Sequence, residues 1–164
     1  MISLPYKGVH MKKLFVVFLG TVLLSAGASA HAYDLRVSKT LIEGEAGAPN
    51  SLYIQCNIVV NDVAHGIEIL RRAGNVVSEE FRPLRITNVE ELDQIISRAK
   101  QGPIETHPGK PGFDSLSYVA IRKSPGMTEY VDLFSNGNLE TVNRSPAASW
   151  LVRFVELHCP EFKI

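Results

Sequence analysis

Between positions 52 and 60 the side chains alternate in character. Leu52, Ile54, Cys56, Ile58 and Val60 fall on one side, and Tyr53, Gln55, Asn57 and Val59 on the other. A period of two is that of a strand with one apolar and one mixed face, so Cys56 points into the core. Segments of similar pattern predict strands over 66–72, 76–84, 116–123, 128–135 and 139–143, and 33–42 adds an edge strand. The connectors Ala73-Gly74-Asn75, Ser124-Pro125-Gly126-Met127 and Asn136-Gly137-Asn138 hold the residues that tight hairpins need.

Two segments change to the helical period. Val89, Leu92, Ile95, Ile96 and Ala99 line one face of a helix over 89–101. Asn88 caps it while Glu91 reaches back, the end charges suit the helix dipole, and Gly102-Pro103 stops it. A second helix follows Ser145 as cap, with Pro146 at the first position, where a missing N–H costs nothing. Trp150, Leu151, Phe154, Val155 and Leu157 give it a wide apolar face, which predicts a largely buried helix closed by Pro160. The fold class is α+β: an antiparallel, meander-like sheet of about six strands with two helices packed on one face. The echo between Ser51-Leu52-Tyr53 and Ser115-Leu116-Ser117-Tyr118 agrees at too few positions to mark a duplication.

The N-terminal region has a different character. Met11-Lys12-Lys13, the apolar run from Leu14 to Leu24 and the small residues ending in Ala28-Ser29-Ala30 form a secretory signal pattern, too short to persist as a membrane span. Residues 1–30 are thus expected to be a signal peptide, with Met11 as an alternative start and cleavage before His31 or before Tyr33. Residues 31–164 form a single exported domain with no membrane anchor after cleavage. The full chain of 164 residues carries 17 basic and 17 acidic side chains. Its signal segment holds Lys7, Lys12 and Lys13 and no acid, so the remainder has 14 basic and 17 acidic residues, a net charge of −3. Such a balance gives no electrostatic footprint for nucleic acid. In an oxidising compartment Cys56 and Cys159, the two cysteines of the chain, are expected to form one disulfide.

Candidate chemistry is sparse. His31, His65, His107 and His158 show no H-x-x-x-H spacing, so no zinc site is written locally. His158 falls in the last turn of a helix, where a partly charged imidazole is favourable. His31 becomes N-terminal on cleavage, and its amine and imidazole, with His65 or His107, would suit copper. No nucleophile elbow or phosphate-cradling glycine loop is present, Glu90-Glu91 is explained by capping, and no cofactor is implied. Tyr118, Tyr130 and Phe134 form either an exposed aromatic strip or core.

One connector, 102–114, is long and rich in proline and glycine, and long loops often carry binding function. The leading expectation is therefore an exported, non-catalytic binding module for a protein partner, such as an envelope hydrolase that it inhibits, with Glu105, His107, Lys110 and Phe113 as contact residues. A different class is a small hydrolase or copper protein, which requires two or more of His31, His65, His107, Asp62, Asp114 and Glu105 to converge. A structural envelope protein is the third reading.

Overall fold

Strand alternation organises the whole chain, and every strand of the described residues joins one ladder. The computed structural model describes residues 34–44, 48–110, 112 and 114–159. The signal-like segment, His31, Phe113 and Pro160 lie outside the described residues. The elements are β1 (Asp34–Glu43), β2 (Leu52–Asn61), β3 (His65–Ala73), β4 (Val76–Pro83), α1 (Val89–Lys100), β5 (Ile104–Pro108), β6 (Ser115–Ser124), β7 (Met127–Asn136), β8 (Leu139–Asn143) and α2 (Pro146–His158). The sheet is antiparallel with the order β4-β3-β2-β1-β6-β7-β8-β5.

Eight strands replace the expected six or so, and two placements differ from the sequence reading. The N-terminal strand is central rather than an edge: β1 pairs along its length with β2 and with β6. Its outer neighbours are invisible in a local pattern, although an inner strand explains why Ser38 and Lys39 are buried. The long connector is also partly regular, because Ile104–Pro108 pairs with β8 as the last strand of the sheet. Pro103 and Pro108 hide it from a propensity reading, yet a sheet edge is where proline is tolerated. The chain after it is held close, since Gly109 N–H donates to the Asn138 carbonyl at 3.0 Å, and a side chain at Gly109 would collide with the Gly137 backbone.

The order reads as two meanders, β1 to β4 and β6 to β8, joined where β1 meets β6. The short sequence echo falls on β2 and β6, which hold different places in that arrangement. Gly126, at φ +78°, makes the β6–β7 turn in a backbone region that glycine enters without steric cost.

Register places Leu35, Val37, Lys39 and Leu41 opposite Val60, Ile58, Cys56 and Ile54 on one side, and opposite Arg122, Ala120, Tyr118 and Leu116 on the other. Buried sheet residues, with Leu92, Ile96 and Ala99 of α1 and Ala148, Leu151 and Val155 of α2, belong to one hydrophobic cluster. Asn88 Oδ1 accepts from Glu91 N–H at 3.1 Å, and Ser145 Oγ from Ala148 N–H at 3.0 Å, so both helices start at the capping residues read from the sequence. Cys56 and Cys159 form a disulfide with a Cα separation of 6.4 Å across 103 positions. A loop of that length corresponds to roughly 4–5 kcal/mol in the chain-entropy account. Asn143 adds a polar clasp, donating from Nδ2 to the Ala99 carbonyl at 2.8 Å while its Oδ1 accepts from Ser145 N–H at 3.1 Å.

Candidate functional site

The residues read from the long connector lie at the β5 edge. Glu105 and His107 share a side of the strand, and Glu105 Oε2 meets Arg144 Nε at 2.8 Å and His107 Nε2 at 3.5 Å. The Arg144 hydrogen bond, then that of His107, holds the Glu105 carboxyl below its ordinary range. Lys110 is exposed. His65 opens β3, Asp62 lies in the turn before it, and Asp114 accepts from Gly44 N–H at 2.9 Å ahead of β6. Glu105 and His107 are therefore brought together, while His65, Asp62 and Asp114 are placed on other elements. Among the described residues, no three His, Cys, Asp or Glu side chains group as a cation site.

The aromatic strip is divided. Tyr118 is buried and packs edge-on against Phe134 with centroids 6.0 Å apart, whereas Tyr130 is exposed on β7. Tyr118 instead belongs to a buried polar group. Lys39 Nζ donates to Glu156 Oε1 at 2.8 Å, the Tyr118 O–H donates to the same oxygen, and the ammonium lies 5.6 Å from the Tyr118 ring centroid. Burial first, and then the Glu156 carboxylate, push the phenol well above its ordinary range. Glu156 Oε1 satisfies both the ammonium and the phenol within the protein, so these groups read as structural.

A different surface departs from expectation more sharply. The second helix was expected to be largely buried, but only its Ala148, Leu151 and Val155 are. Trp150 is 44% exposed and Leu157 75% exposed. Five large apolar side chains make a stripe wider than the sheet covers, and the surplus turns outward. Trp150 stacks on Phe154 with centroids 5.0 Å apart and planes 13° from parallel, and Phe154 meets His158 edge-on at 5.0 Å. The spacing of four between these residues puts the three rings in a row along one flank.

That row borders a cleft of about 220 Å³ whose other wall comes from Leu84, Ile86 and Ile95. Arg85 and Glu91 stand at its border. Glu91 is bonded to the Asn88 side chain at 3.1 Å, whereas Arg85 is exposed and makes no ion pair or hydrogen bond among the described residues. His158 does fall in the last turn of α2, and burial lowers its pKa, which weakens the charged form expected there. The sequence did contain the signal for this site, in an apolar arc on the last helix broader than one sheet face requires. No family model, no curated protein and no solved structure matches the chain.

Proposed function

We propose that this chain is an exported, non-catalytic binding module that engages a protein partner through α2, with inhibition of an envelope hydrolase as the concrete form. The observation that carries the proposal is the exposure of Trp150 and Leu157 on a helix whose Leu151 and Val155 are fully buried. Trp150, Phe154 and Leu157 follow the i, i+4, i+7 spacing by which a helix anchors in a partner's apolar groove. Tryptophan is among the residue types that dominate interface energy. Arg85 beside the row, with no ion pair among the described residues, matches a partner groove with an acidic rim.

Architecture supports this reading. The sheet residues touched by α1 and α2 share one side: Arg122 meets Asp93 and Ser97, Lys39 meets Glu156, and Cys56 is bonded to Cys159. Both helices are therefore inferred to lie on one sheet face, where α2 presents its outer stripe from a rigid base. Export is supported by the signal-like N-terminal segment and by the disulfide. No described helix is long and apolar enough to cross a membrane.

The test is capture from an envelope extract followed by identification of the bound protein. The wild-type chain and a chain with residues 104–112 replaced by Gly/Ser retain one and the same partner, while Trp150→Ala/Leu157→Ser loses it at least tenfold. Equal capture by the helix variant overturns the proposal. Loss only in the loop replacement moves the site to Glu105, His107, Lys110 and Phe113.

A further inference from the structure

The opposite flank of α2 carries a second groove, independent of the aromatic row. Its volume is about 420 Å³, within the size range of small-molecule sites. Buried Tyr118, Leu133 and Ala148 form the floor, and half-buried Leu116, Phe134, Val142 and Val152 form the walls. Polar groups in the lining are already engaged by the protein. Asn143 bonds the Ala99 and Asp132 carbonyls and the Ser145 amide, and Tyr118 bonds Glu156.

Two groups at the rim are not engaged in this way. Ser149 and Arg153 are exposed on α2, and Arg153 makes no ion pair or hydrogen bond among the described residues. Glu156, one turn along the same helix, would be the natural partner of Arg153, but it is committed to Lys39 at 2.8 Å. The carboxylate is thus paired with the buried lysine, and the guanidinium beside the apolar trough has no ion pair among the described residues.

We propose that this groove binds a monocarboxylate with an apolar chain, of the medium-chain fatty acid class. The chain lies along Leu116, Phe134, Val142 and Val152, and the carboxylate accepts from Arg153 in the bidentate geometry that guanidinium favours, with the Ser149 hydroxyl as a further donor. Charge selects the sign of the head group, and the apolar walls select the body. This site stands apart from the protein-partner reading, because none of its residues belongs to the Trp150, Phe154 and Leu157 row.

Calorimetric titration with dodecanoate, below its micellar concentration, tests the proposal on the purified exported chain. Wild type binds dodecanoate at least tenfold more tightly than dodecanol or dodecyltrimethylammonium. Arg153→Gln, at an exposed position, loses that preference and binds the acid and the alcohol alike, and Val152→Trp fills the trough and abolishes both. Trp150→Ala/Leu157→Ser leaves dodecanoate binding unchanged, so failure of the partner reading and failure of this one are separable. Absence of binding, equal binding of the cationic amphiphile, or an Arg153→Gln chain that binds as wild type overturns the proposal.

Discussion

Lys39 and Glu156 form an ion pair across 117 positions of chain, with the lysine side chain 1% exposed and the glutamate 33%. The pair is asymmetric in what each partner loses when left alone. Water already reaches the carboxylate, whereas the ammonium sits on β1 between Cys56 and Tyr118 and is almost wholly shielded from solvent. Glu156→Gln is expected to cost about 2 kcal/mol, because it weakens one charge-assisted contact of a buried ammonium, less than the roughly 3–5 kcal/mol of leaving a buried charge wholly unpaired. Lys39→Met is expected to cost about 1 kcal/mol or less. Urea unfolding of both single variants measures the difference, and equal losses contradict it.

Tyr118 gives a pH dependence with a defined sign. Its folded pKa lies above the ordinary value of 10.0 because of burial and then the Glu156 contact, so the folded state keeps a proton that the unfolded state releases. The stability this supplies is complete below pH 10 and is lost as pH rises further, by about 1.4 kcal/mol per pH unit. Tyr118→Phe removes that slope. Denaturant titrations of the two proteins over the alkaline range compare it directly, and parallel curves exclude Tyr118 as the cause.

The disulfide joins β2 to the residue that ends α2. Reduction, or Cys56→Ala/Cys159→Ala, is expected to lower stability by about 2–5 kcal/mol. Hydrogen exchange should quicken first in the last turn of α2. Uniform acceleration across the sheet would show that the bond does not act locally on the helix end.

Gly66 and Phe81 form a coupled pair on β3 and β4. A Cβ at Gly66 would occupy the space of the Phe81 ring, so the bare backbone is the seat of that ring. Gly66→Ala should cost about 1–3 kcal/mol through forced displacement, and in the Phe81→Ala background the part due to the ring should vanish, leaving the close approach to the Arg82 carbonyl. A double-mutant cycle on unfolding free energies reads the coupling, and additive losses reject it.

The parts of the fold legible in the sequence were those with a local cause. Asn88 and Ser145 announce the helix starts because a cap bonds a neighbour three residues on. The turn at Gly126 is legible because its backbone angle favours glycine. β5 was missed because its reason for being a strand is β8, more than thirty positions away, and its flanking prolines argue the other way. The interior position of β1 was missed because pairing with β6 is a property of the whole sheet. Cys56 was placed correctly, since parity alone sends it inward. At the candidate site, the apolar arc of α2 was visible, but how much of it the sheet covers depends on tertiary geometry. The pairing of Lys39 with Glu156, which leaves Arg153 without an ion pair among the described residues, had no sequence signature at all.

The seam between β1 and β6 sets a timetable for folding. β1 to β4 can pair as soon as they emerge, but the second side of β1 waits for a strand that follows the whole of β5: Leu41 meets Leu116 and Asp34 meets Lys123. During that interval β1 is an unpaired edge, the feature by which sheets join the wrong partner. Cys56 must wait longer still, because Cys159 comes after the last helix. Conditions that slow delivery of the C-terminal half should therefore trap the N-terminal meander as an aggregating species with a free thiol, even where the finished protein is stable.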